Sequence, residues 1–250
     1  MIQLFTKEIN IIQEAEKMNY SIKSVIEKYP KVNIGVLSGT GLNITPMHRE
    51  LEKYKSDSLQ VAKGLIGSDS VTHHPYISSM RNLYRTFGTK PADYHPSAEA
   101  LVRRAIKTLQ LPMINTAVDA YNAVSVRYLI PIGGFNADLI VGDIVLRFSP
   151  GNEAFSPLGE VERESTYPGE VIYADDRRVL TRRWNYRDCV ETRITEKTVD
   201  VVMFLDGSPE IPRVEVEKAL KELAFNLKKY CGGVYSTNVA DSEIPIVKIF

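Results

Sequence analysis

Three polar side chains interrupt the otherwise apolar segment INTAVDAYNAVSVRYLIP, residues 114–131. Asn115, Asp119 and Asn122 are spaced by four and three residues, so in a helix they lie on one face, within roughly 60° of arc. Burying three such groups costs free energy unless each finds a hydrogen-bond partner in the backbone or in a ligand. Two interpretations stay open. Asn115 and Asp119 brace neighbouring loops, or this face binds a ligand, with Asn122 as the first candidate contact.

A second candidate is LTRRWNYRD, residues 180–188, which holds the only tryptophan of the chain, Trp184. Arginine beside an aromatic ring suits stacking on a nucleobase or pairing with a phosphate or carboxylate, which makes Trp184, Asn185 and Arg187 candidate ligand contacts. The alternative is that Trp184 packs in the core under arginine stems. The arginines between 177 and 187 form the nearest thing to a basic patch, although most such runs are solvated faces.

Other suggestive motifs are incomplete. GVLSGTG, residues 35–41, is neither a Walker loop nor a full G-x-G-x-x-G, and Ser38 does not lie in G-x-S-x-G. We expect a surface turn at this Ser-Gly-Thr-Gly sequence. The four histidines lack the i, i+4 spacing of metal-binding pairs, and there is no H-E-x-x-H. The sequence predicts no metal site and no cofactor.

The composition restricts the class of protein. Hydrophobic residues make up 44% and charged residues 25%, as in an ordinary globular protein, and we expect one domain over 1–250. Lys+Arg and Asp+Glu both total 31, so there is no global basic field to bind DNA, and any tRNA contact must be local. No apolar run approaches a membrane span of roughly 18 residues. Two distant cysteines without C-x-x-C spacing favour a reducing, cytoplasmic location.

The periodicity of apolar residues predicts an α+β fold, with helices flanking a mixed or mainly antiparallel sheet. Helices are expected within 1–30, where Ile11, Ile12, Ala15 and Met18 have helical spacing, and at 46–63, from Ser97, across 115–126 and at 212–230. Ser97 is the expected N-cap of its helix, with Val102, Ile106 and Leu109 as the apolar stripe. Strands are expected at 32–37 and in 138–148, 169–176, 198–207 and 244–250, with an irregular region over 71–95.

Four segments between Asn115 and Asp206 resemble the editing domain of the phenylalanyl-tRNA synthetase beta subunit, the module labelled B-three/B-four. That family has an N-x-x-V-D-x-x-N-Y helix, a P-x-x-A-F-D turn, a G-E-x-x-x-x-L-x-G strand and an L-V-I-A-D-D strand. The segments here, in the same order and at nearly the same spacing, are NTAVDAYNAV, PIGGFNAD, GNEAFSPLG and EVIYADD. The flanking YRTFGTKPADYHPSAEALVRR and RRWNYRD are similar to free-standing members, which lack the synthetase's catalytic core.

The resemblance implies an editing-domain core over 80–210, with 1–79 and 211–250 as extensions packed on it. It places the family's pocket asparagine at Asn122, its threonine neighbour at Tyr121 and its buried aspartate at Asp119. The helix of the family is therefore retained in outline.

Three departures from the family concern the pocket. The family's turn histidine falls at Gly133, its pocket-loop glycine at Asn185, and the strand carboxylate that reads a tyrosine hydroxyl at Phe204. Because Phe204 cannot hydrogen-bond a phenol, the tyrosine specificity should not transfer. The resemblance thus implies a pocket for an amino-acid-sized ligand, and the departures imply that this ligand differs from that of the family.

In the synthetase, this domain hydrolyses the ester of a misacylated tRNA. The resemblance implies an aminoacyl-tRNA editing-like protein of translation quality control, which hydrolyses a mischarged aminoacyl-tRNA in trans and has tRNA or aminoacyl-tRNA as its partner. If active it is a deacylase, and it is not a tRNA ligase. The alternative is a non-catalytic module that binds a free amino acid or a tRNA end. No catalytic residue is assigned, Asn115 and Asp119 are supporting residues, and the candidate pocket residues are Tyr121, Asn122, Gly133, Trp184, Asn185, Arg187 and Phe204.

Overall fold

The computed structural model describes residues 18–160 and 162–250. The helices of this part are α1 Lys23–Ile26, α2 Arg49–Ile66, α3 Pro75–Thr86, α4 Ser97–Thr108, α5 Thr116–Tyr128 and α6 Arg213–Cys231. The strands are β1 Asn19–Ser21, β2 Asn33–Leu42, β3 Ile132–Asn136, β4 Ile144–Phe148, β5 Ala154–Phe155, β6 Glu164–Ser165, β7 Val171–Ala174, β8 Val179–Arg182, β9 Arg187–Asp188, β10 Val201–Gly207, β11 Gly232–Ala240 and β12 Ile246–Lys248. Of the predicted helix, Ile11, Ile12 and Ala15 lie outside the described residues, whereas Met18 is not helical and directly precedes β1, where its carbonyl accepts from the Ile249 backbone N–H.

Two larger sheets organise the chain. One has six strands in the order β12-β1-β4-β7-β8-β9, and the other has four in the order β11-β2-β10-β3. The β1–β4 pair is parallel, whereas the other pairs are antiparallel. The predicted α+β class with a mixed sheet is confirmed. Among the described residues, no helix has both the length and the apolar character needed to cross a bilayer.

Strand β10, in the interior of the four-stranded sheet, is buried on both faces, whereas the edge strand β11 is largely exposed. Val202 and Phe204 pack in a core shared with the six-stranded sheet, whereas Val201, Met203 and Leu205 pack in a second core with α5 and α6. Successive side chains of a strand point to opposite faces, so one strand can serve both cores. The fold therefore has three layers: sheet, sheet and helices.

The Ser-Gly-Thr-Gly sequence is not the surface turn that we expected, because β2 continues through it to Leu42. Gly39 pairs with Val201 on one side and with Tyr235 on the other. A Cβ at Gly39 would lie only 2.5 Å from the Tyr235 ring, so glycine is needed here for close approach of a side chain. The glycines of this sequence predicted a turn, but Gly39 lies within a strand at a position where a neighbouring ring leaves no room for a side chain.

The expectation of an irregular region over 71–95 is also wrong, because α3 occupies much of it. His74 caps α3 by accepting a hydrogen bond from the Tyr76 backbone N–H, and Pro75 takes the first helical position, where its missing N–H costs little. The helix buries Ile77, Met80, Leu83 and Tyr84. Proline and histidine at the start were typical of a loop in isolation but form a helix N-terminus here.

Two details of α4 differ from the prediction. Its N-cap is Pro96 rather than Ser97, and no side chain caps it, so Ser97 is already inside the helix. Leu109 adopts a left-handed conformation at the C-terminus and is 70% exposed, which removes it from the predicted apolar stripe. The buried stripe instead includes Ala98, Val102 and Ala105.

Candidate functional site

The hairpin between β8 and β9 carries the lone tryptophan in a constrained turn. Arg183 and Trp184 have φ of 49° and 66°, both in the left-handed region that costs non-glycine residues free energy. The Trp184 backbone N–H donates to the Val171 carbonyl at 2.6 Å, and the Tyr186 N–H donates to the Arg182 carbonyl at 3.1 Å. These bonds hold the turn so that Trp184 is fully buried between the sheets.

A buried carboxylate, Glu170, supports this turn from beneath. It accepts hydrogen bonds from the Arg182 guanidinium at 2.8 and 2.9 Å, from the Arg183 backbone N–H at 3.0 Å, and from the Tyr167 backbone N–H at 3.0 Å. Glu170 and Arg182 are 0% and 3% exposed in their side chains. Removing one partner of a buried, fully hydrogen-bonded ion pair of this kind strongly destabilises the folded protein.

Above the turn, the two sheets leave a hollow with a volume of ≈ 60 Å³. Its mouth lies at the part-exposed β9 residues Arg187 and Asp188 beside Tyr186. This space admits a few waters or a small functional group. The lining comes from α4, β3, β7, β8, β10 and the hairpin, and consists of Ser97, Ile132, Gly133, Phe135, Tyr173, Thr181, Trp184, Asn185, Tyr186, Arg187, Asp188, Phe204 and Asp206.

Aromatic rings form the apolar wall of the hollow. Phe204 lies 5.0 Å from Tyr173 and 6.1 Å from Phe135, centroid to centroid. Trp184 packs on its far side against Tyr29 at 5.4 Å and Phe87 at 6.3 Å. The tryptophan therefore packs in the core, as one of the two interpretations predicted, and it also lines the hollow; its role as a ligand contact stays a prediction.

Asp206, at the end of β10, is the inner carboxylate of the hollow and is 2% exposed. The Tyr173 hydroxyl donates to it at 2.5 Å, and the Asn185 amide donates at 3.0 Å. Asn185 is itself fixed by the Tyr84 hydroxyl, which donates at 2.7 Å. Burial raises the pKa of Asp206 to about 6, against the opposing effect of these donors and with a further rise from the charge of Asp188.

Asp188, in β9, is the outer carboxylate. The Thr181 hydroxyl donates to its Oδ1 at 2.6 Å, while Oδ2 accepts no hydrogen bond from any residue that the structure describes. Burial raises the pKa of Asp188 to about 6, although the Thr181 bond opposes the rise. A Cβ at Gly133 would lie 3.6 Å from Oδ2, so this carboxylate faces the bare backbone of β3. At pH 7 both acids are mainly ionised.

Five of the predicted pocket residues line the hollow: Gly133, Trp184, Asn185, Arg187 and Phe204. Gly133 and Phe204 are directly paired across β3 and β10. Both are positions at which the resemblance implies a departure from the family, and both lie in one wall of the hollow. The Asn185 side chain lines the hollow, but its amide N–H already donates to Asp206.

Asn122 and Tyr121 do not line the hollow. They lie on α5, which packs on the opposite face of the four-stranded sheet, with Tyr121 against that helix-side core. Tyr121 is nevertheless near Asp188: burial and then the charges of Asp188 and Asp119 raise the pKa of its hydroxyl. The family resemblance located the helix correctly, but it could not show which side of β3 the helix faces.

Asn115 and Asp119 hold the start of α5. Asn115 accepts from the Val118 backbone N–H at 3.0 Å and so caps the helix, which satisfies one of its free N–H groups. Asp119 accepts from the Ile114 backbone N–H at 2.9 Å and pairs with buried Lys55 at 2.8 Å. Both side chains thus use their oxygens within the protein.

The arginine run is largely neutralised. Arg182 pairs with Glu170 and Glu164, and Arg187 pairs with Glu160 at 2.8 Å. Arg183, which is 7% exposed, stacks on Tyr94 at 3.8 Å from the ring centroid. The part of the run from Arg182 to Arg187 is therefore engaged within the protein, whereas Arg177 is exposed and forms no ion pair with a described residue.

Five further polar residues line the hollow without having been predicted as site residues: Ser97, Tyr173, Thr181, Asp188 and Asp206. A usable signal existed for Asp206, which ends the apolar run VVMFLD, and for Asp188, which ends RRWNYRD. An acid at the end of a buried strand is a candidate for a perturbed pKa. That these two strands end at one hollow is a property of the tertiary structure. Within the described ranges, no group of three or more His, Cys, Asp or Glu side chains could hold a metal ion.

Comparison with known proteins places this arrangement in a family. A solved structure that is similar to the chain is an N-terminal fragment of the phenylalanyl-tRNA synthetase beta subunit from Pyrococcus horikoshii, with a TM-score of 0.42 and 15% identity. The match covers 89% of this chain and 52% of that chain, so the chain spans about half the length of the fragment. A comparison with curated proteins gives no match. The family model of the B3/4 domain matches residues 79–232, more than half of the sequence, and the chain belongs to the B3/4 domain family.

Proposed function

We propose that this protein is an aminoacyl-tRNA editing-like hydrolase, which removes the amino acid from a mischarged tRNA in trans. The observation that carries the proposal is the hollow between the two sheets, which lies within the matched B3/4 region and is lined by Gly133, Trp184, Asn185, Arg187 and Phe204. Four motif segments of the chain resemble the editing module of the phenylalanyl-tRNA synthetase beta subunit. An ester end entering from the β9 mouth reaches this hollow directly.

The hollow offers two donors for the carbonyl oxygen of such an ester. The Ser97 hydroxyl and the Trp184 indole N–H are buried and make no hydrogen bond within the described part of the chain. Both side chains line the hollow. Donors that are already fixed where negative charge develops lower the barrier to acyl transfer, because no reorganisation is needed during the reaction.

The chemistry is a balanced hydrolysis. Water adds its oxygen to the carbonyl carbon, and the negative charge that develops on the carbonyl oxygen faces Ser97 and Trp184. The bond from the carbonyl carbon to the ribose oxygen then breaks, and that oxygen takes the proton released by the water. The products are a free amino acid and an uncharged tRNA. Because Phe204 replaces the family's phenol-reading carboxylate, we expect the side chain removed to differ from tyrosine.

The experiment is a deacylation assay. Purified protein is incubated with a panel of mischarged tRNAs, including the phenylalanine tRNA charged with tyrosine, and released amino acid is measured. We expect release from at least one member of the panel. A Ser97→Ala variant should lower that rate by roughly 10²–10³, as removal of one oxyanion donor does. Ser236→Ala, on the exposed face of β11, is the matched control and should keep the full rate.

A second candidate function is a non-catalytic module that binds a free amino acid or a tRNA end. The small volume of the hollow and the position of Asn122 outside its lining favour this candidate. It predicts no release from any tRNA in the panel, together with saturable binding of an amino acid or of uncharged tRNA. If tRNA binds, its affinity should fall as salt rises, because phosphate contacts are screened.

A further inference from the structure

Among the described residues, five carboxylates are buried and Asp188 is half-buried, and these six fall into two groups. Four of them have a cationic partner within 4.0 Å: Glu99 pairs with Arg81 and Arg103, Asp119 with Lys55, Glu170 with Arg182, and Asp175 with Arg178. Pairing is the usual condition for keeping a charged group away from water. These four carboxylates therefore need nothing from outside the chain.

Asp188 and Asp206 are different. Neither makes a salt bridge with any described residue, and their hydrogen bonds come from the neutral donors Thr181, Tyr173 and Asn185. The nearby Arg187 is engaged with Glu160 at 2.8 Å. Two acids thus share a partly enclosed, aromatic-walled hollow, and Arg187, the cation among its lining residues, is paired with Glu160 instead of with either acid.

A second observation also points to a ligand. The Trp184 side chain is fully buried, and its indole N–H makes no hydrogen bond of acceptable geometry to any described residue. The indole N–H is close enough to Asp206 to lower the pKa of that carboxyl, as a hydrogen-bond donor does. A buried donor without a partner is costly and is expected to be satisfied by water or by a ligand acceptor.

We propose that the hollow is a receptor for a primary ammonium group, which binds at Asp188 Oδ2 between the two carboxylates and against the aromatic wall. Carboxylate oxygens supply the charge-assisted acceptor, and Trp184, Tyr173 and Phe204 present ring surface to the cation. The ≈ 60 Å³ of space matches a small head group rather than a complete large side chain. This inference rests on the proposed function, because it uses the same hollow as the ligand site.

Two sources could supply this group: the α-ammonium of an amino acid or aminoacyl ester, and the terminal ammonium of an amine side chain. In the first, the adjacent carbonyl oxygen can accept the unpaired N–H of Trp184. In the second, the rest of the ligand lies outside the mouth near Tyr186. The shared requirement is a protonated amine.

The test uses the only tryptophan as its probe, since its indole N–H gives one resonance in a ¹⁵N-labelled sample. Titration at pH 7.5 compares L-alanine methyl ester with methyl lactate, in which a hydroxyl replaces the ammonium, and with 1,4-diaminobutane. We expect the alanine ester or the diamine to bind at least tenfold more tightly than methyl lactate. The better of the two amines identifies the source.

Asp188→Asn keeps an oxygen that can accept from Thr181 but removes the charge, and it should abolish the preference for amines. Asp93→Asn, which changes an exposed acid, is the control and should leave the preference unchanged. If Asp188→Asn fails to fold, the unmodified protein is titrated at pH 5 instead. Protonation of Asp188 should then weaken the amines and not methyl lactate. The other groups close to Asp188 are Arg187, Asp206, Tyr121 and Cys189. Arg187 stays charged, Tyr121 and Cys189 stay protonated, and Asp206, whose pKa is also raised to about 6, gains a proton together with Asp188.

Equal binding of methyl lactate and the amines, or an unchanged preference in Asp188→Asn, would overturn the proposal. Its failure is distinguishable from failure of the hydrolase proposal. Release from N-acetylated aminoacyl-tRNA at the same rate as from the free-amino form would preserve hydrolysis and eliminate the ammonium receptor. Binding of amines without release of amino acid from any tRNA would preserve the ammonium receptor and eliminate the hydrolase proposal.

Discussion

The β8–β9 hairpin contacts carboxylates on two sides, Glu170 on one and the pair Asp188 and Asp206 on the other. The two sides differ in whether a cation of the chain balances the charge. Below the turn, Glu170 accepts four hydrogen bonds, two of them from the Arg182 guanidinium. Above it, Asp188 and Asp206 accept from hydroxyls and one amide, with no cation from the described chain. Both sets line a turn whose Arg183 and Trp184 have left-handed backbones.

The comparison shows how burial alone does not decide what a charged group is for. A carboxylate with all its acceptor capacity used and a cation in contact stabilises a strained backbone and has nothing left to bind. A desolvated carboxylate with a free oxygen and no cationic partner is unfavourable by itself, and a ligand that brings a positive charge would stabilise it. Three substitutions test this distinction, in decreasing order of expected effect.

The largest effect is expected for Glu170→Gln. The change leaves Arg182 buried with Glu164 as its remaining carboxylate partner and turns one acceptor oxygen into a donor facing other donors. We expect a loss of roughly 3–5 kcal/mol in the free energy of unfolding, measured by urea denaturation. The matched control is Glu160→Gln, which breaks the more exposed Glu160–Arg187 pair and should cost within about 1 kcal/mol. Equal losses in the two variants would contradict the role given to Glu170.

Asp188→Asn should have the opposite sign. Its pKa is raised to about 6 in the folded protein from 3.8, so the folded state holds a proton between about pH 4 and pH 6 that the unfolded chain has released. The carboxylate therefore reduces stability as pH rises through that window. We expect the variant to be more stable than the original protein by roughly 1–3 kcal/mol at pH 8, with the difference vanishing near pH 4. Urea denaturation at both pH values measures this, and destabilisation at pH 8 would show that a hidden partner stabilises Asp188.

Tyr173→Phe should give the smallest effect of the three. It removes the 2.5 Å hydrogen bond to Asp206 and keeps the ring in the wall of the hollow. Loss of a donor to the charged form should move the pKa of Asp206 further above 6, and stability at pH 7 should fall by about 1–2 kcal/mol. An NMR titration of the Asp206 carboxyl checks the direction. Tyr20→Phe, which removes only the outer hydroxyl that donates to Tyr173, is the control and should shift this pKa less.

Periodic segments were predictable, and crowded or composite ones were not. The helix α6 and the strand β10 follow directly from their apolar spacing, and both are found within a few residues of the prediction. The helix α3 was missed because its stripe begins after histidine and proline, which are typical of loops. At Gly39, a glycine that relieves contact with the Tyr235 ring looked like a turn, since sequence alone does not show what lies across a strand.

The sequence by itself determined the α+β class and the B3/4 family relationship, because these depend on local periodicity and on motif order. Only the tertiary structure decided that Asp188 and Asp206 line one hollow, that Trp184 lines it with them, and that α5, which carries Asn122, packs on the opposite face of the four-stranded sheet. Asp188 and Asn185 precede Asp206 in the chain by 18 and 21 residues. They become its neighbours only because β9 and β10, which belong to different sheets, meet at the hollow. Such convergence, and the pKa shifts that burial then imposes, has no local signature in a sequence.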